Sequence, residues 1–166
     1  MPRFLLTLHA YGTWLADKEE GWTDRRKKQT QPPAPRLGRW QRLSIKHPER
    51  RFSPRVQRLA GEAILASASP LRLKVWTIGS SLTHLHPLVG WSDERPAPSI
   101  RRSIKRSVST ALREAGEPLP FLSEGGNLRR VLNADGFDFF REQYLPQHGG
   151  WLWDHARGWR SPVSSG

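Results

Sequence analysis

The chain opens on an alternation of apolar and polar positions. From Arg3 to Ala10, Phe4, Leu6, Leu8 and Ala10 fall on one side of an extended backbone and Leu5, Thr7 and His9 on the other, so the spacing predicts a strand with Tyr11–Leu15 as its exit. After Ser53-Pro54, a serine N-cap with proline in the first turn, Val56, Leu59, Ala60, Ala63 and Ile64 recur at helical spacing until the apolar stripe fades at Ser67, before Pro70. Leu71–Ser80 and Leu82–Trp91 are two extended runs joined at a Gly-Ser-Ser turn, and they predict an antiparallel pair. A second helix has Pro98 in its first turn, the stripe Ile100, Ile104, Val108, Ala111, Leu112 and Ala115, and Gly116 as its C-terminal cap. A glycine turn at Gly125-Gly126 then leads into a short basic strand ending at Leu132. The third helix is predicted over Phe137–Tyr144, capped by Asn133 or Asp135, with Phe137, Phe140 and Tyr144 on one stripe and Pro146 interrupting it.

The order is strand, helix, strand, strand, helix, strand, helix. It predicts an α+β fold, a small antiparallel sheet with two amphipathic helices on one face, as in ferredoxin or RRM arrangements. The helices should cover the Leu85/Val89 face. His84 and His86 then sit on the open one, roofed by the third helix. Residues two apart on a strand lie roughly 6.5–7 Å apart on one face. Imidazoles so placed can share an ion through bonds of about 2 Å, and the pair still needs a third ligand. Taken alone, the pair also reads as two surface polar residues. Pro87 cannot donate to a ladder, which predicts an edge strand or a bulge.

The 166 residues are expected to form one domain, with two segments outside the core. Residues from about 17 to 54 lose core periodicity and read as a long basic loop rich in Pro and Arg. Within it Trp22 and Trp40 lie among arginines such as Arg39, a combination suited to clamping a single strand by stacking and phosphate neutralisation. The tail from about residue 156 to 166 is expected to fray.

Charge sharpens the picture. The 27 Lys+Arg against 15 Asp+Glu give +12, so the expected partner is a polyanion, nucleic acid first. On the second helix Arg101, Arg102, Lys105 and Arg106 form an almost wholly positive face, and Arg129 and Arg130 make the fourth strand basic; these are the candidate phosphate contacts. With no cysteine, thiolate zinc sites and zinc deaminases of the His/Cys/Cys kind are excluded. Any ion is held by His, carboxylate or amide groups, and Mg²⁺ or Mn²⁺ suit that at least as well as zinc. No apolar run is long enough to span a bilayer. Residues 1–9 are too short and too soon polar for a signal peptide, so the cytoplasm is the expected compartment.

Several motifs then agree on one family. His84-Leu85-His86 is a His-hydrophobic-His pair within a strand; Phe4–Leu15 reads Phe-Leu-Leu-Thr-Leu-His-Ala-Tyr-Gly-Thr-Trp-Leu; Glu124–Leu132 reads Glu-Gly-Gly-Asn-Leu-Arg-Arg-Val-Leu; and Tyr144 is followed by Gln147-His148-Gly149. In this order they resemble the HUH single-tyrosine transposases of the insertion-sequence and REP-associated type, over nearly the whole chain except residues 17–54. Thr83 stands where that family usually has Asn, and Pro87 follows the histidine pair directly.

The resemblance implies metal-assisted transesterification on single-stranded or hairpin DNA, in the bacterial cytoplasm at the nucleoid. Tyr144 would be the nucleophile and His84 and His86 the ion's ligands. A polar side chain one helical turn beyond the tyrosine would be the third ligand, here His148 with Gln147 as substitute. On pattern alone Tyr144 is a core aromatic completing the Phe137/Phe140 stripe. Two further readings stay open: a relative that binds such DNA without cutting it, and a metal-dependent nuclease in which water attacks. So does completion of the site within one chain or across a homodimer.

Overall fold

In the computed structural model, which describes residues 1–13, 15–17, 22–24 and 29–162, the chain runs β1 (Arg3–Leu6), β2 (Leu8–His9), β3 (Trp22–Asp24), β4 (Gln29–Gln31), α1 (Pro35–Ser44), α2 (Pro54–Ala68), β5 (Lys74–Ser80), β6 (His84–Gly90), α3 (Ala97–Glu114), β7 (Leu128–Val131) and α4 (Ala134–Phe139). A π-turn (Phe140–Tyr144), a 3₁₀ turn (Leu145–His148), β8 (Leu152–Asp154) and β9 (Gly158–Arg160) follow. The fold is α+β. One antiparallel sheet has the order β7-β1-β6-β5-β8-β9, with β2 continuing β1 along β6, and β3–β4 form a separate ribbon.

The alternating and helical stripes meet as expected on one side of this sheet. Leu6, Leu8, Val75, Leu85 and Val89 pack against Val56, Ala60 and Ile64 of α2 and Ile100, Ile104, Val108 and Leu112 of α3. Each large side chain fully withdrawn from water here contributes about 1.5–3 kcal/mol. Ser53 caps α2 as its sequence indicates, its hydroxyl accepting from the Val56 N–H at 3.3 Å. On the other side Leu5, Leu88, Val131 and Leu152 lie under Phe140 and Leu145, so the third helical segment roofs the face that carries the histidines.

The structure departs from the sequence-based elements in four places. First, Pro87 lies in the middle of the sheet, since β6 has β1 and β5 on its two sides. The cost falls on the neighbour. Leu5 pairs with Leu88 and Leu8 with Leu85, so Leu6 and Thr7 lie across from Pro87 and His86, and there the expected N-terminal strand breaks into β1 and β2. The Thr7 N–H turns away and donates to the Asn127 carbonyl at 2.9 Å.

Second, the basic segment from 17 to 54 is not all loop. It contains α1, started by Pro35, and the β3–β4 ribbon. The helix is tied back to the strand exit: the Ala34 N–H donates to the Ala16 carbonyl at 2.7 Å, the Ala16 N–H to Gln41 Oε1 at 2.8 Å, and Arg42 pairs with Asp17. Gly38 is buried where a Cβ would collide with the Asp17 side chain. Its docking surface is polar and small, which is why no apolar stripe announced it.

Third, the expected helix Phe137–Tyr144 is α-helical only up to Phe139, capped by Asn133, whose Oδ1 accepts from the Gly136 N–H at 2.9 Å. It then widens and tightens in turn, and Pro146 is accommodated at the start of the 3₁₀ turn. Fourth, the tail is a hairpin through residue 160: β8 pairs with β5, and the Trp153–Trp159 register joins β9 to β8. Trp159 lies over Gly61, leaving no room for a Cβ, and Arg58 sits 4.3 Å from its ring centroid. Among the described residues no helix is long and apolar enough to cross a membrane.

Candidate metal centre

His84 and His86 share a face of β6 because a strand repeats every two residues, and the Ser81–Thr83 turn fixes how they enter it. The Ser81 hydroxyl oxygen accepts from the backbone N–H groups of Thr83, at 3.3 Å, and His84, at 3.2 Å. The Thr83 hydroxyl lies 2.8 Å from His84 Nδ1. The Thr83 side chain therefore orients the first histidine.

His86 is buried at 4 % exposure. The gap between β1 and β2 supplies its partners: Nδ1 is 3.3 Å from the Leu6 carbonyl and 3.0 Å from the Thr7 hydroxyl. A carbonyl only accepts, so Nδ1 carries the hydrogen and Nε2 presents its lone pair.

The third imidazole comes from the far side of the roof. His148, in the 3₁₀ turn, places its ring centroid 4.6 Å from that of His86 and 5.2 Å from that of His84, while His84 and His86 are 4.6 Å apart. One nitrogen from each of the three lies within 4.8 Å of the others, close enough to hold a metal ion together. Gln147, the substitute, is exposed.

Two features test whether an ion fits. The Nε2 atoms of His86 and His148 are buried with no hydrogen-bond partner, a costly state for apolar surroundings and an ordinary one for ligand atoms. The rings are also held neutral. His86 is pushed down to about 2, first by burial and then by His84 and His148, against the pull of its bond to Leu6. Burial lowers His148 as well, opposed by a hydrogen bond to the Tyr144 backbone. Neutral imidazole is the form that binds metals. The residues fit a metal ion.

Tyr144 borders this set. Its ring centroid lies 4.8 Å from that of His148 and 5.7 Å from that of His86, and on its other side it touches Phe140 at 5.6 Å and Phe139 at 6.2 Å. It is half-buried. Both sequence readings of Tyr144, aromatic stripe and site residue, describe part of its surroundings.

The candidate phosphate contacts are scattered. Arg101 donates to the Gly126 carbonyl, and Lys105 donates to the carbonyls of Ser123 and, at 3.0 Å, Gly125, bracing the loop into β7. Burial, with Arg101 nearby, lowers the Lys105 ammonium, against the pull of Glu124. Arg102 and Arg106 are exposed on α3, which covers the sheet face opposite the histidines. Arg39 and Trp40 are exposed on α1. Arg130 is exposed on β7, and Arg129, beside it, is the one that reaches the roof, its guanidinium 5.1 Å from the Phe140 ring centroid. Trp22 belongs to β3.

Two contributors escaped the sequence. His9 pairs in register with His84, ring centroids 5.9 Å apart, which only the strand register reveals. Gln57, a polar residue facing inward on α2, holds the turn after His148. Its Nε2 donates to the Phe52 carbonyl at 2.9 Å, and its Oε1 accepts from the Trp151 N–H at 3.0 Å. The Ser80 hydroxyl lies 2.8 Å from Gln57 Oε1 and 2.7 Å from the Trp151 carbonyl, and the Gly150 N–H donates to the Ser80 carbonyl at 3.0 Å. A Cβ on Gly150 would come within 2.3 Å of Gln57 Oε1 and the Ser80 carbonyl. Glycine is required by that close approach.

Neither the family models nor the curated proteins compared with this chain give a match.

Proposed function

We propose that the chain is a single-stranded DNA nickase and strand-transferase of the HUH single-tyrosine type. The observation that carries this reading is the Tyr144 ring lying 4.8 Å from His148 at the edge of three mutually close histidines. A phenol, with pKa near 10, is a weak nucleophile at neutral pH, so it needs a charged centre beside it. His84, His86 and His148 would hold the ion, which supplies Lewis-acid polarisation of the scissile phosphate and offsets its developing charge. An all-imidazole donor set favours Mn²⁺ over Mg²⁺ between the two expected ions, and binds zinc more tightly still.

The chain's own part is attack and positioning. The Tyr144 oxygen attacks phosphorus, a phosphotyrosyl bond forms to the 5′ side, and the bond to the 3′ oxygen breaks to release a 3′-hydroxyl. The reverse step, with another 3′-hydroxyl, rejoins strands and frees the tyrosine. The substrate is single-stranded or hairpin DNA in the bacterial cytoplasm, a choice supported by the +12 charge.

The test is a denaturing gel for covalent adducts, with labelled hairpin oligonucleotides and Mn²⁺, comparing the protein with Tyr144→Phe. A shifted band lost in the variant supports the reading. Binding without any adduct favours the non-cleaving relative. Cleavage surviving in Tyr144→Phe points to water attack.

A further inference from the structure

Phe139 is an aromatic ring left 46 % exposed beside the candidate nucleophile. An exposed apolar residue by itself carries no meaning. This one is distinguished by where the helix puts it. In an α-helix each residue turns about 100°, so residues five apart diverge by about 140° and face different directions. The segment Phe140–Tyr144 is instead a π-turn, whose i→i+5 spacing brings residues five apart back to one side. Phe139 and Tyr144 are thereby neighbours, centroids 6.2 Å apart and ring planes only 33° from parallel.

A cation completes the surface. Arg129, exposed on β7, places its guanidinium 5.1 Å from the centroid of Phe140, and Phe140 touches both Phe139, at 5.5 Å, and Tyr144, at 5.6 Å. A part-exposed aromatic ring, a guanidinium and a phenol thus lie around Phe140. That sequence of groups suits one chemistry: a flat, unpaired base with phosphates on either side of its sugar. The chain's charge of +12 favours a polyanion as the occupant over another basic surface.

We propose that Phe139 is a stacking platform for the unpaired nucleobase next to the phosphate that Tyr144 attacks, with Arg129 neutralising the phosphate on its other side. This rests on the nucleic-acid reading of the site given above. It assigns Phe139 to substrate contact, and predicts that the site prefers a splayed, single-stranded nucleotide at that position.

The experiment is equilibrium binding by fluorescence anisotropy of a fluorescein-labelled oligothymidylate, in the Tyr144→Phe background so that no strand is consumed. Phe139→Leu keeps apolar bulk and removes the π-face; Phe139→Tyr keeps the face. The Leu variant is expected to weaken binding about 5- to 100-fold, the Tyr variant less than about twofold. Both should melt with the parent, as suits an exposed position. The same probe annealed to oligoadenylate should lose the difference between the variants. Equal binding of oligothymidylate by the Leu variant and the parent overturns the platform alone. So does an equal weakening on the duplex, which would make Phe139 a generic contact. Absence of any single-strand binding by the parent overturns the nucleic-acid reading together with the platform.

Discussion

The two faces of the central strand β6 are built from alternate residues of one heptapeptide, yet they obey different rules. Leu85 and Val89 look into α2 and α3, where they join one apolar cluster with Val56, Ala60, Ile64, Ile104 and Val108. His84 and His86 look the other way, into a set of imidazoles whose hydrogen-bonding needs are incompletely met. The first face holds the domain together. The second carries buried Nε2 atoms that destabilise the fold, and gains only if something binds them. Adjacent residues should therefore respond oppositely when truncated.

The largest expected effect breaks the comparison directly. Leu85→Ala should cost about 2–5 kcal/mol of stability in urea denaturation, with metal affinity of the folded fraction unchanged. His86→Ala should cost about 1–3 kcal/mol, because the Leu6 carbonyl and the Thr7 hydroxyl lose Nδ1 as a partner, a loss eased by removal of the unpaired Nε2 with the ring. Its metal affinity, from competition with a chromogenic chelator, should fall by more than about 100-fold, beyond what losing a supporting residue causes. A large stability loss in His86→Ala would mean that the second face is structural after all.

Gln57→Leu sharpens the comparison by acting from the apolar side on the polar one. It leaves the Trp151 N–H without its acceptor, for about 1–3 kcal/mol. It also loosens the turn behind His148, so Mn²⁺ affinity should drop about 10-fold. Gln57→Glu keeps an accepting oxygen but loses the donor to the Phe52 carbonyl and buries a carboxyl in its place, so it should recover neither the stability nor the metal affinity.

The smallest effect concerns pH. Asp154 is buried in β8 and takes a bidentate pair from Arg141, at 2.7 and 2.9 Å, linking the π-turn to the C-terminal hairpin. That bond, more than the Ala156 N–H and the nearby Arg157, holds the Asp154 carboxyl below its ordinary range, against burial. A lowered carboxyl pKa stabilises the fold above the unfolded value of about 3.9, and that contribution is lost as pH falls through the folded one. Thermal melts of the protein should therefore drop on acidification below about pH 4, and Asp154→Asn should flatten that part of the profile.

What the sequence disclosed follows the same division between faces. Ile64, Ile104 and Leu112 sit on stripes that a single helix must bury, so periodicity alone placed them. His148 was reached through a family resemblance and helical spacing, although the actual path is a π-turn and a 3₁₀ turn. Both turns arise from tertiary demands, with Leu145 seated against Gly79 and Arg141 bound to Asp154. Pro146 marks locally that the helix stops, but no local pattern encodes the form of the turns. The same holds for α1, docked through Gly38 and Gln41, for the break at Thr7, and for Gln57, whose partners lie up to 94 residues away. Polar contacts made across such distances leave no periodic trace.

The turn locked by Gly150 also bears on the order in which the molecule comes into being. Ser80 is synthesised long before Gly150, and β5 before the β8 strand that pairs with it. A chain still on the ribosome, with β6 complete and residues 145–154 not yet emerged, owns two of the three histidines and neither Tyr144's neighbour nor its roof. A metal ion held by all three histidines is therefore out of reach of the nascent protein until His148 has emerged and the turn through Gly150 has closed.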